Sequence, residues 1–173
     1  MAAVLAVAAA GCVQGQSAVA LPPKAASQAP AQAIARQPTA REQVVSAYTA
    51  YWQATDAAID AGHTSAARAI LAPHVLASSL PDILAVLQQD WAAHAVTDGQ
   101  PVLHITSVSV SQGTAAVRDC IDLSHAGLQD ARTGRAFPRS FGSARASYFA
   151  SLVRRGGRWL VRNIVPVVAP CES

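Results

Sequence analysis

The sequence predicts an α+β domain: three N-terminal helices packed on a four-stranded antiparallel sheet. Two observations carry this. Between Arg41 and Val96 the apolar residues recur at helical spacing, and after Gly99 the pattern switches to alternation with β-branched residues, the period of a strand. Helices first and strands after is the segregated arrangement in which helices cover one face of an antiparallel sheet. A chain of 173 residues, 51% of them apolar, is enough for one domain with a real core and too short for two.

The first helix is expected over 41–61, where Val44, Val45, Tyr48, Trp52, Thr55 and Ile59 fall on one face. Thr39 is its N-cap and Gly62 its stop. A short helix over 65–71 ends before Pro73. A third, over 80–96, carries Ile83, Leu84, Leu87 and Trp91 on one side and Pro81 in its first turn, where a missing N–H costs nothing. Val102, His104, Thr106, Val108 and Val110 then alternate with Leu103, Ile105, Ser107 and Ser109 as a first strand. Gln112-Gly113 turns the chain into a second strand over 114–123. The stretch 124–143, with Gly127, Gly134, Pro138 and Gly142, is expected as a long loop. A third strand over 144–154 and a fourth over 158–167 meet across Arg155-Gly156-Gly157, a hairpin signal.

Upstream of the domain the sequence reads as an address. Ala2 to Ala10 is an apolar run too short to span a bilayer and suited to the hydrophobic part of a secretory signal. Ala9-Ala10-Gly11-Cys12 resembles a bacterial lipobox. That resemblance implies that residues 1–11 are a signal peptide and that Cys12 is lipidated, holding an exported protein on the outer face of the cell membrane. Secretion after an ordinary signal is the alternative. Residues 12–40 are rich in Ala, Gln, Ser and Pro, and they read as a flexible tether before a single domain over 41–173. With Cys12 given to the lipid, Cys120 and Cys171 remain as an even pair in an oxidising compartment and are expected to form a disulfide. Two unpaired thiols are the other reading.

The formal net charge is +3, unevenly placed. Acidic residues dominate the first half of the domain, and arginines dominate the second, from Arg118 to Arg162. The asymmetry suits either an anionic partner or a solvated arginine-rich sheet face. No aromatic interleaving or nucleic-acid motif accompanies the arginines, so nucleic acid is not an expected partner.

Catalytic chemistry in such a domain needs a buried carboxylate or histidine base. The candidate is Asp119, which alternates with Ala115, Val117, Ile121 and Leu123 on the apolar face of its strand. A carboxylate there is either functional or satisfied by a nearby arginine; a bulge beside Cys120 would reverse the faces and expose it. His104 is its candidate partner, on a strand face with Val102, Thr106 and Val108. Tyr48, Trp52, Trp91 and Tyr148 are the aromatics that would line a ligand pocket or fill the core. The remaining histidines and cysteines lack the spacing of a metal site, no Gly-x-Ser-x-Gly elbow or phosphate loop is present, and neither metal nor cofactor is expected.

The helix-then-strand order and the closing hairpin Leu152-Val153-Arg154-Arg155-Gly156-Gly157-Arg158-Trp159-Leu160-Val161 resemble the nuclear transport factor 2-like, or cystatin-like, superfamily. Val117-Arg118-Asp119-Cys120, with Gly157-Arg158-Trp159 and the late Cys171, looks like its small secreted or lipid-anchored actinobacterial members. The resemblance implies a curved sheet that leaves a conical pocket, used by some members for isomerase or dehydratase chemistry and by others for binding or assembly. It also implies pairing through the outer sheet face, as a homodimer or with an envelope protein. The expectation is therefore an envelope lipoprotein that binds a small apolar ligand or a partner without catalysis. The alternative is an isomerase-like or dehydratase-like enzyme using Asp119 with His104 or a pocket tyrosine.

Overall fold

In the computed structural model, which describes residues 36–138, 145–168 and 171, the chain enters helix α1 (Ala40–Asp60) through a capping box. The Thr39 side chain accepts from the Glu42 N–H, and the Glu42 carboxylate accepts from the Thr39 N–H at 2.6 Å. Both satisfy donors that a helix start leaves open. Arg36 adds an ion pair to Glu42 at 3.2 Å. Cys12, the lipobox and the tether up to residue 35 lie outside the described residues.

Helix α2 (Thr64–Leu71) is capped by His63, whose ring accepts from the Ala66 N–H, and it buries Ala67 and Leu71. Val75 then forms a single parallel bridge to Val161, with Leu76 N–H donating to the Val161 carbonyl at 2.8 Å. Helix α3 (Leu80–Ala92) has Pro81 in its first turn and buries Leu80, Leu84 and Leu87.

The expected continuation of α3 to Val96 does not occur. His94 takes a left-handed backbone (φ 58°), and the chain passes into strand β1 (Ala95–Gly99). The β-branched Val96 and Thr97 pair there with Gln129 and Leu128 of strand β4 (Ala126–Asp130). The stretch expected as a loop over 124–143 therefore contains a strand, and the domain has a second, two-stranded sheet. Gly99 (φ 74°) is required at its end, since a Cβ there would collide with the His125 carbonyl oxygen.

The main sheet is the expected antiparallel meander: β2 (Val102–Ser111), β3 (Thr114–Asp122), β5 (Arg145–Arg155) and β6 (Arg158–Pro166), in that spatial order. Gly156 and Gly157 both have positive φ, as the tight β5–β6 hairpin requires. Ala115, Val117, Ala150, Leu152, Trp159 and Val161 form the sheet side of the core. Against them lie Val44, Tyr48, Ala54 and Ala58 of α1 and Leu71, Leu84 and Leu87 of α2 and α3. The architecture is thus α+β, three helices packed on antiparallel sheets.

Cys120 of β3 and Cys171 form a disulfide with Cα atoms 5.5 Å apart, bringing the segment after β6 back to β3. Closing a loop of this size stabilises the fold by about 4 kcal/mol in the chain-entropy view. Changing both cysteines to serine should lower the unfolding free energy in denaturant titrations by that order. An unchanged midpoint would show that the bridge contributes nothing.

Candidate functional site

One end of the core is open. A cavity of about 520 Å³ lies between α1, α3, the small sheet and β5. Helix α1 contributes Tyr51, Trp52, Thr55, Asp56 and Ile59, and α3 contributes Ile83, Val86, Leu87 and Asp90. Each set is one helical face, with spacings of three and four residues. The opposite wall is Thr97, Gly99, Pro101, Leu123, Ala126, Gly127 and Leu128, with Tyr148 from β5. Trp52 stands edge-on to Tyr148 and Tyr51, with centroids 5.7 and 5.9 Å away.

The wall is held by polar contacts. The Asp60 carboxylate accepts from the Thr97 N–H at 2.8 Å and from its hydroxyl, tying β1 to the end of α1. The Trp91 indole N–H donates to the Ile59 carbonyl at 2.9 Å, tying α3 to the same turn.

Two carboxylates face an otherwise apolar and aromatic space. Burial, with a smaller contribution from the neighbouring Asp60 charge, pushes Asp56 up to about 6. Burial also raises Asp90. Neither forms a hydrogen bond or ion pair among the described residues, and no lysine, arginine or histidine lines the cavity.

Behind Trp52 and Tyr148 lies a second polar group. Asp119, 3% exposed, is the β3 partner of Tyr148 and faces the core, as its alternation with Val117 and Ile121 implies. Burial raises its proton affinity; the Tyr48 hydroxyl and the N–H groups of His104 and Cys120 offset this in part. Burial likewise holds the Tyr48 phenol well above its ordinary value, the Trp52 indole opposing and the Asp119 charge adding. These groups lean toward one another, but neither Asp119 oxygen, nor the Tyr48 hydroxyl, nor the Trp52 N–H closes a hydrogen bond of good geometry among the described residues. A buried polar atom left in that state costs about 1–3 kcal/mol. The environment therefore favours the neutral acid.

Of the residues singled out from sequence, Trp52 and Tyr148 line the cavity, while Tyr48 and Asp119 meet each other one layer behind it. Trp91 is spent on its bond to Ile59. His104 does not face the cavity: β2 has a bulge between Ile105 and Ser107, its core-packed residues are Leu103, Ile105 and Val108, and His104 is exposed. Sequence reasoning missed Asp56 and Asp90. Their signal was positional, since Asp56 continues the Trp52–Ile59 face of α1 and Asp90 follows Ile83 and Leu87 at helical spacing. Among the described residues no group of three His, Cys, Asp or Glu side chains could hold a metal ion.

No protein-family model matches the chain, and no curated protein matches it. Solved structures do. The intermembrane space region of chloroplast protein ARC6 is 13% identical with a TM-score of 0.57, over 77% of this chain and 100% of that one. A conserved protein from Planctomyces limnophilus DSM 3776 is 14% identical at a TM-score of 0.43, over 72% and 95% of the two chains. A de novo beta sheet design is 10% identical at 0.38, over 72% and 87%. The likeness to the first is one of fold alone.

Because burial raises Asp119, the folded state binds its proton more tightly than the unfolded state does. The stability it allows is present below the ordinary carboxylate range and is lost as pH rises through its folded value. Asp119→Asn removes that loss. Melting curves should show the variant gaining on the parent as pH rises from about 4 to 7; Glu42, Asp122 and Asp130, whose shifts run the other way, cancel in the difference. A gap that does not change with pH would mean that Asp119 is as easily ionised as a surface carboxylate.

Proposed function

We propose that this chain is an exported lipoprotein of the cell envelope, anchored at Cys12, that holds a small apolar ligand in the cavity between α1, α3 and the β1–β4 sheet, without catalysis. The observation that carries the binding reading is the cavity itself. Its volume of about 520 Å³ suits a small molecule, and its lining is mostly apolar and aromatic with a few polar groups. The Cys120–Cys171 disulfide is compatible with an oxidising compartment. Among the described residues no helix is long and apolar enough to cross a membrane, and attachment is assigned to the lipid on Cys12. In this reading the sheets curl around the cavity as a nuclear transport factor 2-like cone.

One observation favours a second reading, an isomerase-like or dehydratase-like enzyme: Asp119 is a buried acid beside a tyrosine hydroxyl, as general acid–base work requires. Against it, neither Asp119 nor Tyr48 lines the cavity, so a ligand seated there meets Trp52 and Tyr148 first. Binding is the better supported activity.

The neutral fluorophore N-phenylnaphthylamine should bind the purified protein, and Ile83→Trp, which fills the cavity from α3, should weaken it by roughly tenfold. A parent protein that leaves the fluorophore dark would overturn the pocket reading. In the native host, Cys12→Ser should move the protein from the membrane fraction to the soluble one. Unchanged membrane association would remove the anchor.

A further inference from the structure

We infer that the ligand of this cavity is a cation: an apolar amine or quaternary ammonium compound whose charged group sits between Asp56 and Asp90 and whose apolar body lies against Trp52 and Tyr148. The inference rests on the pocket reading and names the class of ligand within it.

Among the described residues the cavity lining includes two carboxylates and no basic side chain, although the protein as a whole is basic, with a formal charge of +3. Both carboxylates are only partly exposed, and neither is engaged by another side chain among the described residues. Asp60 differs in this respect, because Thr97 already occupies it with three hydrogen bonds. Its charge adds to the negative potential at the mouth without competing for the ligand.

A carboxylate withdrawn from water and left unpaired is unfavourable, and a cation arriving beside it converts that cost into attraction strengthened by the low local dielectric. Aromatic faces add to the same preference, since their negative quadrupole attracts ammonium groups. The same charges repel an anion: a fatty acid or a phosphate monoester would bring like charge into a desolvated space with no counter-ion. The arginine-rich half of the chain therefore says nothing about what enters this cavity. The described arginines lie outside its lining, as where Arg118 stacks on the Phe149 ring at 5.6 Å.

Three probes of one shape separate this inference from the pocket reading: phenylbutylamine, phenylbutanol and phenylbutyrate, each displacing N-phenylnaphthylamine from the full chain. The amine should bind roughly tenfold tighter than the alcohol, and the anion weakest of the three. In Asp56→Asn/Asp90→Asn the amine should fall to within about twofold of the alcohol, whose own affinity stays as it was. An amine no tighter than the alcohol in the parent protein, or a preference that survives in the double variant, overturns the cation inference and leaves the apolar pocket standing. Displacement by none of the three overturns the cation inference, and a fluorophore that never binds overturns the pocket reading with it.

Discussion

The arrangement depends on how α1 lies against the inner face of the meander. Val44, Tyr48 and Ala58 are fully buried along it, and Tyr48 is the largest of the fully buried side chains in the domain. Fully burying one large apolar side chain contributes about 1.5–3 kcal/mol, so a stripe of this kind outweighs the helix propensity of the same residues. It also fixes the rotation of the helix. Once Tyr48 points into the sheet, Trp52, Asp56 and Ile59 must emerge one turn and more further along, where the meander no longer covers them. The cavity is the unfilled end of the groove in which α1 is seated.

That geometry explains why polar groups are found in an apolar layer at two depths. At the deeper level Asp119 and Tyr48 meet where β3 passes under α1, sealed from water by Trp52 and Tyr148. Isolation of this kind favours the neutral acid, which can donate as well as accept and so fits a set of groups with few partners. At the shallower level Asp56 and Asp90 keep some access to solvent. Both line the cavity, and partial burial raises the proton affinity of each. The depth of burial, rather than the residue type, separates the sealed carboxylate from the two that line the cavity.

How much of this was legible in the sequence follows from the length of each periodic signal. Helices α1 and α2 and the four-stranded meander repeat their period over enough residues to be read directly, and the double glycine at 156–157 marks the last hairpin. The β1–β4 sheet was illegible for physical reasons. Each strand has five residues, β4 (Ala-Gly-Leu-Gln-Asp) has neither alternation nor a β-branched residue, and Ala92-Ala93 continues a helical composition up to the point where His94 turns the chain. The register of β2 was misread from the opposite cause. Its alternation is clear, but a bulge at Thr106 exchanges the faces on either side, so His104 and Val108 do not share one. Trp52 and Tyr148 stood out as aromatics of a pocket or of the core, since aromatics on a core face are conspicuous, but their sequence pattern does not separate the two. A single aspartate on an amphipathic helix reads as solvated, and only the packing of α1 against α3 shows otherwise.

The wall that the sequence concealed is also the one that closes the cavity. Besides the burial of Ala95 and Ala126 and the packing of Leu128 on the core, its attachment is polar: β1 is joined to α1 through the bonds from Thr97 to Asp60, and α3 to the same turn through Trp91 and Ile59. Gly99 permits an approach to His125 that no other residue allows. The cavity is thus bounded on two sides by helices locked into the main core, and on the third by a two-stranded sheet, which alone is only marginally stable in water. Local opening is drawn from the parts of a structure with the least buried contact. By that measure the β1–β4 wall would open more readily than the helices or the meander.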